Sequence, residues 1–233
     1  MKKLLLIVVT AISITSFGQT WTDHPVDSLL TVLLPDNYKI TDTMGQQVIT
    51  ARIENGLILI SSLANAEQYS VNIKSEGELK SYYKKFEQGY TETQHGQDVK
   101  DEMIEVSGLK AIRFTFTKIM NGEKQMRYCV AVFVKDKTYA INFWEPASMS
   151  NEMTATREKL FSSMKFAPGL GPKDQMTDKR KVDVPKNIGY LFGKLVLFGL
   201  IIWLIVRLAK RGKKQSMAPP PIKKPNTNEQ TRR

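Results

Sequence analysis

The sequence predicts an α+β domain, with an antiparallel sheet of hairpins and a meander packed against two or more helices, followed by a single C-terminal transmembrane helix. Three observations carry this. Short apolar runs alternate with Pro-Asp-Asn and Asn-Gly turn signals over 29–63 and 109–144, as antiparallel strands require. An aromatic stripe at three- and four-residue steps interrupts them at 79–90, the period of a helix lying on a sheet. A 19-residue apolar stretch at 188–206 is followed at once by Arg207, Lys210, Arg211, Lys213 and Lys214. At about 1.5 Å per residue that stretch matches the roughly 30 Å hydrocarbon layer of a bilayer.

Residues 1–18 have the form of a signal peptide. Lys2 and Lys3 precede an apolar run at 4–14, and Ser16 and Gly18 supply the small residues of a cleavage site before Gln19. No cysteine follows the run, which excludes a lipoprotein signal. The formal charge of +11 comes from 34 basic and 23 acidic residues, and it divides unevenly. Setting aside Lys2, Lys3, Lys194 and the nine Lys and Arg of 207–233 leaves 22 basic residues in 19–187, against 22 acidic ones once Glu229 is set aside. The exported part is neutral, which speaks against nucleic acid as its partner. The basic excess marks the cytoplasmic flank of the span.

The expected order is a signal peptide at 1–18, an exported domain at 19–166, a flexible linker at 167–187, the span at 188–206 and a disordered basic tail at 207–233. This places a single-pass protein in the inner membrane, its N-terminal domain outside the cytoplasm. The single cysteine, Cys129, and the lack of any Asn-X-Ser/Thr sequon lean toward a bacterial envelope.

Within the domain, 21–25 is polar and irregular, and 29–34 reads as a first strand ended by Pro35-Asp36-Asn37. A hairpin over 46–63 with Asn55-Gly56 as its turn sets Ile53 opposite Ile58, Ala51 opposite Ile60 and Ile49 opposite Ser62. Ser75 and Glu78 form a capping box for a helix over about 76–90, whose Leu79, Tyr82, Tyr83, Phe86 and Tyr90 lie on the sheet. A polar connection at 91–97 carries His95. Neither it nor His24 has carboxylates at ligand spacing, so both histidines are expected to face solvent and no metal or other cofactor is expected.

Three strands follow at 109–119, 125–135 and 137–144. A turn at Asp136-Lys137 sets Val134 by Tyr139, Val132 by Ile141 and Val130 by Phe143. A two-residue turn at Asn121-Gly122 would set Phe116 beside Arg127 and Phe114 beside Cys129. If one face is buried, the apolar pattern predicts instead a bulged three- or five-residue connection, with Phe114 by Val130 and Phe116 by Tyr128.

The core then comprises Ile112, Phe114, Phe116, Tyr128, Val130, Val132, Val134, Tyr139, Ile141 and Phe143. Cys129 reads as a small buried residue. The opposite face collects Arg113, Arg127, Asn142 and Trp144 as a candidate partner-binding surface. The alternative is that a second helix or loop covers Trp144 and the arginines cap its edge. A helix capped by Ser148 or Ser150 and reaching Lys165 closes the domain, with Met153, Leu160, Phe161 and Met164 inward.

This order of elements resembles the PsbP-like superfamily of small exported α+β proteins over roughly 26–166. The matching stretches are Leu34-Pro35-Asp36-Asn37-Tyr38, the hairpin, the helix, Tyr139-Ala140-Ile141-Asn142-Phe143, and the closing Phe161-Ser162-Ser163-Met164-Lys165-Phe166. The resemblance implies a binding or assembly module rather than an enzyme.

In the span, Gly189 and Gly193 form a small-x-x-x-small pair suited to weak homodimer contact, and Lys194 lies close enough to the outer end to snorkel. The tail, with its Pro219-Pro220-Pro221, suits contact with anionic inner-leaflet lipid. The expected function is a membrane-tethered module of the envelope that binds a protein or small ligand. The alternatives are an envelope hydrolase using scattered carboxylates and signal relay through the span. None of Gly-x-Ser-x-Gly, His-Glu-x-x-His or a P-loop occurs in the chain.

Overall fold

A computed structural model describes residues 19–43, 46–64 and 72–177. Seven antiparallel strands form the main sheet in the order β3-β4-β5-β9-β8-β7-β6: β3 Lys39–Thr43, β4 Gln46–Ile53, β5 Gly56–Ala64, β6 Gln97–Val106, β7 Leu109–Met120, β8 Glu123–Val134 and β9 Lys137–Pro146. A three-stranded sheet of β1 Trp21–Pro25, β2 Leu30–Pro35 and β10 Lys165–Phe166 joins helix α2 (Thr154–Ser162) on one face of it. Helix α1 (Glu76–Gln94) covers the other.

Both faces of the main sheet are therefore apolar. Against β2 and α2 lie Ile58, Ile60, Val130, Val132, Ile141 and Phe143, with Leu30, Val32, Leu160 and Phe161 opposite. Under α1 lie Phe114, Phe116, Phe133 and Cys129, all essentially unexposed. The helix forms as its sequence suggests: Ser75 accepts from the Glu78 N–H, and Glu78 reaches back to the Lys74 N–H, so the first turn is capped. Its stripe of Leu79, Tyr82, Tyr83, Phe86 and Tyr90 is buried. It runs past Tyr90 to Gln94, and His95 ends it in the left-handed conformation. The stretch expected as a polar connection is thus mostly its last turn. His95 is exposed, whereas His24 is half-buried against Tyr38 with ring centroids 4.4 Å apart.

Several registers differ from expectation. The first hairpin turns at Glu54-Asn55, pairing Ala51 with Ile58 and Ile49 with Ile60. Gly56 is its first strand residue, where a Cβ would meet Ile53 and the Trp144 carbonyl oxygen at 2.9 Å. The glycine serves a close approach and not the turn. The last hairpin turns at Lys135-Asp136, both at positive φ, pairing Val132 with Tyr139 and Val130 with Ile141. Each shift is two residues, so every side chain keeps its face.

The bulged connection is overturned. Asn121-Gly122 is a two-residue turn with φ of 53° and 80°, pairing Phe114 with Cys129 and Phe116 with Arg127. The expectation assumed a single buried face; with both faces covered, the apolar pattern no longer fixes the register. Phe114 and Phe116 consequently face α1, while Tyr128 and Val130 face the other way.

Strand β1 occupies the stretch expected to be irregular, and β3 and β6 were not anticipated. The closing helix spans only Thr154–Ser162, after a 3-10 turn at Ala147–Met149; Ser150 does not cap it but bonds Tyr128. The domain also continues beyond 166, because 167–177 is packed structure rather than linker. There Gln175 is fully buried, Asp174 accepts from the Lys135 N–H and Thr177 donates to the Ile73 carbonyl. The signal at 1–18, the rest of the linker, the span at 188–206 with Gly189, Gly193 and Lys194, and the tail at 207–233 lie outside the described residues. Among the described residues no helix is long and apolar enough to cross a membrane.

Candidate functional site

The four residues expected on one surface do not share one. Paired residues on adjacent antiparallel strands face the same way, and the row Phe116, Arg127, Trp144, Leu57 lies under α1. Asn142 lies in the next row, beside Cys129 and Leu59. Arg127, Asn142 and Trp144 are all buried. The expected alternative, cover by a helix, is what the structure has for Trp144, except that the helix is α1 and Arg127 is covered with it. Arg113 belongs to the opposite face, in the row Glu102, Arg113, Val130.

Under α1 the polar groups have specific tasks. Asn142 accepts from the Tyr90 hydroxyl at 2.8 Å and donates to the Leu59 carbonyl at 3.2 Å, locking the helix to the sheet centre. Burial pushes the Tyr90 hydroxyl and the Cys129 thiol well above their ordinary pKa values, so both are held neutral. Arg127 stacks on Trp144, its guanidinium carbon 3.7 Å from the ring centroid. Its partners are the neutral acceptors Gln125 at 2.9 Å and Gln94 at 3.5 Å, with the Met120 sulfur at 3.8 Å. Burial draws its pKa down to about 10.

On the other face, the end of the sheet beyond α2 is only partly covered. Arg113 is one-third exposed, 3.6 Å from the exposed carboxylate of Glu102, and its guanidinium carbon stands 5.9 Å from the Phe161 ring centroid. Its Nε is buried without an acceptor. Thr115 and Tyr128, the next pair on this face, are half-buried.

A polar cluster that sequence reasoning missed holds this end in place. Arg157 donates to Glu145 at 2.7 Å and to the Ser150 carbonyl at 3.3 Å, its guanidinium carbon lies 4.1 Å from the Tyr128 ring centroid, and Tyr128 and Ser150 share a hydrogen bond of 2.8 Å. The signal was present in the sequence, since Glu145 continues the inward series Tyr139, Ile141, Phe143. Burial raises the Glu145 pKa, opposed by Ser150, Arg157 and Tyr128. Glu87 on α1 is also raised, first by burial and then by Asp101. These two carboxylates belong to opposite sides of the sheet and form no acid–base pair. Among the described residues no three His, Cys, Asp or Glu gather as metal ligands.

No family model matches the chain, and no curated protein matches it. Among solved structures it is similar to the PsbP protein of the cyanobacterium Synechocystis, with a TM-score of 0.48 at 10% identity over 66% of this chain and 98% of that one. It is similar also to LpqN, involved in cell envelope biogenesis of Mycobacterium tuberculosis, with a TM-score of 0.41 at 11% identity over 64% and 91%. A third is the Ran-binding protein Mog1p of Saccharomyces cerevisiae, with a TM-score of 0.38 at 10% identity over 63% and 87%. The PsbP-like resemblance read from the sequence recurs among these solved structures, as a likeness of chain path that assigns no role to any residue.

Proposed function

We propose that this chain is a membrane-tethered, exported binding or assembly module of a bacterial cell envelope, without catalytic chemistry of its own. Its partner, a protein or small ligand, docks on the open end of the β6–β7–β8 face. The observation that carries this reading is Arg113. It is partly exposed, and its ion pair with Glu102 is long, 3.6 Å, and solvent-facing. Such a guanidinium retains terminal donors for a partner, and Arg with Tyr in the adjoining row is a pairing of residue types enriched at interfaces. Tethering rests on the apolar stretch 188–206 and the basic run after it, and export on the form of residues 1–18.

Affinity capture from membranes tests the docking surface. Wild type and the exposed control Lys80→Ala should recover one specific protein that Arg113→Ala combined with Thr115→Arg loses. Equal recovery by all three returns this face to a purely structural role. Arg127 and Trp144 are left intact in this experiment because both are core residues.

A further inference from the structure

Arg127 is a completely buried cation with no anionic partner among the described residues. Among the described residues neither it nor Lys118, one row nearer the β7–β8 turn, forms an ion pair with a carboxylate. A buried charge is normally paired, since its desolvation is costly. Here the guanidinium has two carboxamide oxygens and a thioether, while its Nε–H and the Trp144 indole N–H are buried with no acceptor at all. Lys118 is partly buried, and its pKa is lowered first by burial and then by the charge of Arg127, so the two cations sense one another. The register sets Lys118, Arg127 and Trp144 on the α1 face of three adjacent strands, and among the described residues no carboxylate pairs with either cation, an arrangement whose complement is negative and rich in acceptors.

We propose that a small oxyanion, a free phosphate or a carboxylate, binds between Arg127 and Lys118, accepting hydrogen bonds from the Arg127 Nε–H, the Lys118 ammonium and the Trp144 indole. Gln125, which already bonds Arg127 and pairs with Lys118, forms the partly exposed rim. This site is on the sheet face opposite Arg113, so it does not depend on the docking surface proposed above.

The test uses the full chain in detergent, with sodium phosphate and sodium acetate each titrated against sodium chloride at constant ionic strength. Thermal unfolding and the Trp144 indole resonance of 15N-labelled protein are read together. A saturable rise in Tm with a saturable shift of that resonance is expected in one oxyanion or both, and the arm that responds identifies the chemistry. Lys118→Met, a change at a half-buried position, should weaken the response about tenfold, and Arg127→Met should abolish it. Should Arg127→Met fail to fold, Lys118→Met decides alone. A Tm rise that never saturates, or equal titration curves in wild type and Lys118→Met, overturns the site.

Discussion

Gln175 lies within the stretch whose composition suggests a spacer, yet its carboxamide works as a piece of the main sheet. Pairing of β7 with β8 runs from Met120 and Glu123 to Ile112 and Ala131. Continued by two residues, that register would pair Lys110 with Phe133, and Gln175 bridges these two: its Oε1 accepts from the Lys110 N–H at 2.8 Å, and its Nε2 donates to the carbonyls of Lys110 at 2.7 Å and Phe133 at 2.8 Å. The Tyr83 hydroxyl completes the bridge, accepting from the Phe133 N–H and donating to the Lys110 carbonyl.

Gln175→Ala leaves the Lys110 N–H and the Phe133 carbonyl without partners, while the Lys110 carbonyl keeps Tyr83. A buried backbone group left unmade costs about 1–3 kcal/mol, so the pair should cost about 3 kcal/mol, or about 6–12 °C in Tm for a domain of this size. Thermal unfolding of the full chain followed by circular dichroism measures it, with the exposed Lys173→Ala as control. A shift below about 2 °C would refute the reasoning and return 167–177 to the status of a tether.

Two further outcomes follow from one buried and one half-buried ion pair. Arg157→Met strands the Glu145 carboxylate, whose side chain is 0% exposed, and should cost about 3–5 kcal/mol, most of it recovered in Arg157→Met/Glu145→Gln; denaturant unfolding of both variants checks this, and no recovery would disprove the pairing. At Asp27, burial raises the pKa, but hydrogen bonds from Lys137, the Leu29 N–H and Tyr139 outweigh it and the net shift is downward. A lowered carboxylate pKa stabilises above the unfolded value, and the gain is lost as pH falls through the folded one. Asp27→Asn should therefore lower Tm at about pH 7 and match wild type at about pH 2. A gap that persists in acid would contradict that assignment.

Helix α1 was legible because its signals agree: the Ser75 cap, the Glu78 return contact and a stripe at helical spacing all favour the same element. Strand faces were legible where hairpins slipped by two, since that shift preserves parity. What failed was the choice between turn chemistry and pattern at Asn121-Gly122, where the turn residues were the better guide. Apolar alternation reports register only when one face is wet, and most residues on both faces of β7–β8–β9 are buried or half-buried. The same cause hid Arg127. A lone arginine among alternating apolar residues reads as solvent-facing, and nothing local in the sequence shows that α1 will cover it. Strand β6 escaped notice because its Asp, Glu and Lys residues look like a loop; they suit an edge strand, whose charges discourage unwanted pairing.

The separation of Arg113 from Arg127 determines how any binding role can be dissected. With α1 over one face and β2 with α2 over the other, the described residues leave a protein partner the β3 and β6 edges of this sheet and the partly covered end around Arg113, Thr115 and Tyr128. Arg127 can serve such a partner only through the fold. The backbone of β8 connects the two places, since Arg127 and Tyr128 are adjacent in sequence and face opposite ways. An Arg113 variant should therefore alter capture of a partner without changing the response of Tm to oxyanions, and a Lys118 variant should do the reverse. If Lys118→Met instead abolished capture, the two faces would be coupled through β8, and bound anion would be a condition for docking rather than a separate property of the fold.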